Sequence, residues 1–234
     1  MRDSARRLYD GMREVVHVTV AGAGDIPLTS DSDIVVDLRT ALVAYGDPQL
    51  PVAVGIRQAI LLVIAASVRV DALHTWELVE PQVRAALIAR LGFSARELGQ
   101  PAYLSEVIAT VQAVPGVDYV DVTTFAGVPD SETPTGLQDL AAALTAPADV
   151  IPALPARFDL TRYTVTAGGQ TPAAIAAANG ITVAELLALN PDLAGVTSVA
   201  GGQSVVVFRG IRPAQLITLS ADVPETLILR EAPS

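Results

Sequence analysis

The sequence predicts an α+β fold: an antiparallel-sheet/helix two-layer sandwich with a small βααβ domain behind it. Three observations carry that expectation. Strand-like and helix-like segments take turns over residues 1–125, an acidic proline-rich stretch covers 126–160, and two short apolar helical segments framed by β runs fill 161–210.

In order along the chain, Val16-His17-Val18-Thr19-Val20 is a strand that stops at Gly22-Ala23-Gly24. Ser30 or Asp31 offers an N-cap for a helix over Asp33 to Tyr45, where Ile34, Leu38, Ala41 and Leu42 fall at helical spacing and Gly46-Asp47-Pro48 ends the run. Val52-Ala53-Val54 starts a strand, and Ala59 to Val70 is a long β-rich run of Ile and Val. Trp76 to Arg90 is a helix, and Gly92 after it can take φ > 0. Leu104-Ser105-Glu106 opens another helix that Val114-Pro115-Gly116 stops, and Val117 to Val122 alternates as a half-buried strand does.

Pro129, Pro134, Pro147, Pro152 and Pro155, with Arg157 alone against five acids, make 126–160 a semi-rigid linker, interrupted by one helix over Gly136 to Ala146. A first short helix then runs from Pro172 to Ala178 and closes at Asn179-Gly180. Thr182 caps the second, with Glu185 three residues on as in a capping box, and Asn190-Pro191 stops it.

Composition removes much chemistry. The net charge of −10 disfavours a nucleic-acid partner, because phosphate binding needs a basic face. With no cysteine, a disulfide scaffold, a thiolate metal site and a Cys nucleophile are absent. The histidines are His17 and His74 alone, and every basic residue is arginine, so no Schiff-base or P-loop lysine exists. No cofactor or metal is expected. Mean hydropathy is +0.45, high for a chain with no membrane insertion expected. The start, Met1 to Arg7, lacks an apolar signal region, and the longest apolar run, Arg57 to Arg69, falls short of the about 20 residues a bilayer needs, so a cytoplasmic product is expected.

Single features read blandly. Asp31-Ser32-Asp33, within the cluster Asp25, Asp31, Asp33, Asp37 and Asp47, lacks the glycine and distal glutamate of a calcium loop, so helix capping and a solvated face are expected. His74 beside Trp76 and Glu77 is a surface or packing histidine. Gly22-Ala23-Gly24 is no dinucleotide fingerprint, since Pro27 stands where the third glycine belongs. Arg57 and Arg69 read as a solvated rim or, in an assembly, as partners for a neighbour's carboxylates. No paired carboxylates, metal-ligand cluster or nucleophile elbow appears, and no enzymatic activity is expected.

The segments Leu38-Arg39-Thr40-Ala41-Leu42, Tyr45-Gly46-Asp47-Pro48, Val68-Arg69-Val70-Asp71, Leu104-Ser105-Glu106 and Val114 to Val122 resemble, in that order, the baseplate J family, the wedge proteins of contractile phage tails and related injection systems. Pro213-Ala214-Gln215-Leu216 and Val223 to Leu229 are similar to the closing segment of such proteins. The resemblance implies a J-like domain over 1–125 with a closing segment over 211–234, matching the family's C-terminal portion. It implies a structural subunit that joins neighbouring wedge subunits around the tube hub of a phage tail-like particle, with hub or sheath proteins as further partners.

Between these parts, Tyr163 to Thr171, Ile175 to Gly180, Ile181 to Pro191 and Gly201 to Val207 resemble a LysM module, a strand–helix–helix–strand unit known for binding N-acetylglucosamine glycans. That likeness implies peptidoglycan contact through Gly169, Gln170, Thr171, Asn190, Pro191, Asp192 and Leu193. Gln170, Pro172 and Ala173 depart from the family's glycan loop, which favours a packing or adaptor module.

Overall fold

A computed structural model describes residues 1–47, 49–129 and 146–233. Its centre is the long strand β4 (Gln58–Val70). Ile60, Leu62, Ile64, Ala66 and Val68 alternate onto one face of it and are buried. The strand β6 (Val117–Pro129) pairs antiparallel along one side of β4, with Phe125 opposite Ile64. On the other side two strands share the edge end to end: β10 (Gln215–Thr218) beside Gln58 to Leu61, and β11 (Leu227–Glu231) beside Ile64 to Val68. Both run parallel to β4. The sheet is therefore mixed, where alternation alone suggested a mainly antiparallel one; a residue pattern carries no strand direction, and parallel neighbours arrive by long connections.

Two helices cover the buried face. In α2 (Trp76–Leu91), Val79, Val83, Leu87 and Leu91 recur every fourth residue and are fully buried. In α3 (Leu104–Gln112), Val107 and Val111 do the same. With Phe125, Ile217 and Leu219 they form one core, each side chain contributing about 1.5–3 kcal/mol by leaving water. Gly92 ends α2 at φ −75°, not in the left-handed region: a Cβ there would lie 2.4 Å from the Ile88 carbonyl oxygen, so space rather than torsion demands glycine. Gly116 has φ +90° in the turn before β6, where its bare Cα lets the His74 ring approach.

Beyond residue 125, β6 continues to Pro129, and β7 (Val150–Ile151) pairs with β5 (Ala102–Tyr103). Ile151, Ala153 and Ala156 are buried. The helix expected over Gly136 to Ala146 lies, Ala146 apart, outside the described residues.

The last unit is framed by β8 (Arg157–Thr164) and β9 (Ser204–Arg212), antiparallel from Arg157 opposite Arg212 to Thr164 opposite Ser204. Between them lie α4 (Pro172–Ala178) and α5 (Val183–Leu189). Thr171 caps α4, and Thr182 with Glu185 forms the expected capping box on α5. Val165, Ile175, Leu186, Leu193 and Val205 make a second, smaller core. Among the described residues no single helix is long and apolar enough to cross a membrane.

Candidate functional site

The third unit lies at the start of the chain. Strands β1 (Arg2–Tyr9) and β2 (Glu14–Ala21) form an antiparallel hairpin, and β3 (Val52–Ile56) joins β2 in parallel through the helix α1 (Asp33–Tyr45). The hairpin turn is local chemistry. Asp10 Oδ1 accepts from the backbone N–H of Met12 at 2.8 Å and of Arg13 at 2.9 Å, which holds the Asp10 carboxyl below its ordinary pKa. Gly11 supplies φ +96°. The sheet order β1-β2-β3 leaves β1 and β3 at opposite edges.

One face of this sheet is docked. Val15, His17, Thr19 and Ala21 alternate inward and are buried. Thr19 Oγ1 accepts from the Ala214 N–H at 3.0 Å and lies 3.3 Å from His17 Nδ1. Gly55 permits this packing: a Cβ there would sit 2.7 Å from His17 Nε2 and 2.9 Å from Pro213. Burial pushes the His17 imidazole down from its ordinary pKa. Arg57 pairs with Asp25 at the end of the sheet. Its side chain is only 12% exposed, so it is a buried tie rather than the solvated rim the sequence suggested. Arg69 is the rim residue, 3.7 Å from Asp118 and over the Tyr119 ring.

The opposite face is not finished. Val16, Val18, Val52 and Val54 are half-buried. The helix α1 packs on β3 but buries Val35 alone, with Leu38 and Leu42 half-covered. Ile34 is 52% exposed, Val43 75% and Tyr45 91%. Apolar side chains continuous over a helix and an adjoining sheet mark a surface for contact. Asp31, Asp33, Asp37 and Asp47 surround it and make no ion pair among the described residues, so the expected solvated acidic face is present.

Residues 2–55 match the baseplate J-like central domain. The match begins where β1 begins and stops one residue short of the end of β3, so it covers this unit and little else. It places the likeness at the start of the chain and in the family's central domain, whereas the sequence motifs pointed to the family's C-terminal portion. The two overlap over residues 38–55; the match does not reach 157–212 or 213–229. No curated protein matches the chain. A baseplate J-like domain implies a structural component of a baseplate, and the J-like unit is built as such a component would be: anchored on one face and bare on the other.

The residues singled out for glycan contact serve a different purpose in part. Asn190 is buried; its amide donates to the carbonyls of Leu186 at 2.9 Å and Val206 at 2.7 Å and accepts from the Val206 N–H at 2.9 Å. Leu193 lies in the small core. Gln170 pairs with Val199 through the backbone, and its Oε1 accepts from the Tyr163 hydroxyl at 2.8 Å. Gly169 takes φ +74°. Thr171, Pro191 and Asp192 are exposed. No hydrogen bond among the described residues joins the 169–171 loop to the 190–193 loop.

Sequence reasoning passed over Arg96. Its side chain is 1% exposed and donates to the carbonyls of Gln100 at 2.8 Å and Pro101 at 2.6 Å and to Glu106 at 3.3 Å. Arg90 takes the other Glu106 oxygen at 2.7 Å. The groove lined by Arg90, Tyr103 and Glu106 therefore presents a carboxylate already held by two cations. A lone arginine between Ala95 and Glu97 gives no pattern from which burial follows. His74 pairs with Asp71 at 2.8 Å rather than with Glu77, and among the described residues no three His, Cys, Asp or Glu side chains are grouped to hold a metal.

Proposed function

We propose that the protein is a non-catalytic subunit of a contractile-tail or injection-system baseplate, joining neighbouring wedge subunits around the tube hub. The observation that carries this reading is that the matched unit, residues 2–55, is also the one whose apolar surface the chain leaves uncovered. Interfaces of permanent assemblies are apolar at their centres, and Ile34, Val43 and Tyr45 supply such a centre. The test is sedimentation of native particles from the producing cell, with this chain followed by mass spectrometry. Migration with sheath-and-tube particles is expected. A chain found only in small species overturns the reading.

The unit over 157–212 supports a second element of the reading. Its paired strands, two capped helices and separate core agree with a LysM-like module. Packing or adaptor use is favoured over peptidoglycan binding, because Asn190 and Leu193 are committed to holding the unit together. Pull-down of the full chain on purified cell wall tests it. No retention is expected, and saturable retention lost on Asp192→Ala gives the glycan reading first place.

A further inference from the structure

The two edges of the first sheet carry opposite charge. At one edge, β1 has Arg2, Arg6 and Arg7 against Asp3. Arg2 donates to the Ser94 carbonyl and Arg6 to the Ala156 carbonyl, whereas the Arg7 guanidinium has no acceptor among the described residues. At the other edge, the helix packed on β3 carries Asp33 and Asp37, with Asp31 just before it, against Arg39. Strands lie about 4.8 Å apart, so about 10 Å of sheet separates β1 from β3, and the two charged sets do not meet within one molecule.

Each charged set borders exposed apolar groups. Tyr9, 57% exposed, follows Arg7 on the same side of β1, and Met12 in the turn is 84% exposed. Val43 and Tyr45 extend the acidic helix. We infer that these surfaces meet between copies: the β1 edge of one molecule docks on α1 of the next, with Arg7 beside Asp33 and Asp37. The partner is a second copy because this chain itself bears the complementary surface. The contact is head-to-tail, since the two surfaces differ, and repetition of such a contact gives a ring or a filament rather than a closed dimer. A symmetric α1–α1 contact would instead gather acids from both copies around Arg39 alone. The inference rests on the assembly role proposed above and names the neighbour and the face.

The experiment is sedimentation equilibrium of the full chain over a concentration series, at low and high salt. The weight-average mass is expected to rise from 24.3 kDa to at least double, and to fall back in about 1 M salt, where the screening length shrinks to about 3 Å. Two charge reversals at exposed positions separate the edges: Arg7→Glu, and Asp33→Arg with Asp37→Arg. Each is expected to keep the wild-type unfolding midpoint and to remain monomeric alone. Mixed in equal amounts they regain association, because every junction between them is again of opposite charge. A wild-type chain monomeric throughout, an Arg7→Glu variant that associates like wild type, or a mixture that stays monomeric overturns the inference. Failure here is distinct from failure of the baseplate reading: a monomeric chain that still travels in sheath-and-tube particles sinks only the copy-to-copy contact, and a self-associating chain absent from particles sinks only the baseplate role.

Discussion

Along α2, Val79, Val83, Leu87 and Leu91 return every fourth residue and all are fully buried; along α1, Ile34, Leu38, Ala41 and Tyr45 return at helical spacing and none is. The difference is what each helix has been given to lie on. The sheet under α2 is bounded on both sides of β4 and capped by α3, while α1 has the narrow strand β3 and little more. A periodic apolar stripe therefore reports that a helix needs a partner, and only the fold reports whether the chain provides it.

Substitutions in the two regions sharpen this contrast. The largest effect is expected in the finished core: Leu87→Ala removes a side chain with no exposure and is expected to cost about 2–5 kcal/mol in denaturant unfolding of the isolated chain. Asn190→Ala strips the small core's polar brace and leaves the Val206 N–H without its acceptor; about 1–3 kcal/mol is expected, seen as early loss of hydrogen-exchange protection over 157–212. Thr182→Ala removes the cap of α5, for about 0.5–2 kcal/mol. Val43→Ser on α1 is expected to change isolated-chain stability by no more than about 0.5 kcal/mol while weakening self-association, a split that the α2 positions cannot show.

The docked face of the J-like unit adds a pH test. Burial depresses the His17 pKa below the unfolded value, so the unfolded chain takes up the proton more readily. The stability tied to neutral His17 is whole above the ordinary histidine pKa of 6.5 and is lost as pH falls from there through the folded-state value. Unfolding free energies at pH 7, 6 and 5 are expected to fall more steeply for wild type than for His17→Gln. His74 is present in both chains and cancels. Equal slopes would show that the His17 site stays open to water.

Elements whose signals are local were legible in the sequence. Asp33 to Tyr45, Trp76 onward and the Thr182–Glu185 box needed only spacing and caps. The strand β1 was not, because Arg2-Asp3-Ser4-Ala5-Arg6-Arg7 has the charge of an edge and no apolar alternation. Nor was the burial of Arg57 and Arg96, which depends on Asp25 and Glu106 arriving from other elements. For the candidate site, the family likeness of the first unit was visible in the segments from Leu38 to Pro48. The surface itself was hidden, since Ile34 and Leu38 read as a core stripe until the fold left them uncovered.

The shared edge of β4 bears on synthesis. Gln58 to Val68 leave the ribosome early, yet their neighbours on that side are residues 215–218 and 227–231, and Thr19 waits for Ala214. A nascent chain halted before residue 215 holds β4 with one flank bare and the J-like unit without its anchor. Closure of the core is thus a check on complete translation: an interrupted product presents an open strand edge to quality control, and a finished one conceals it.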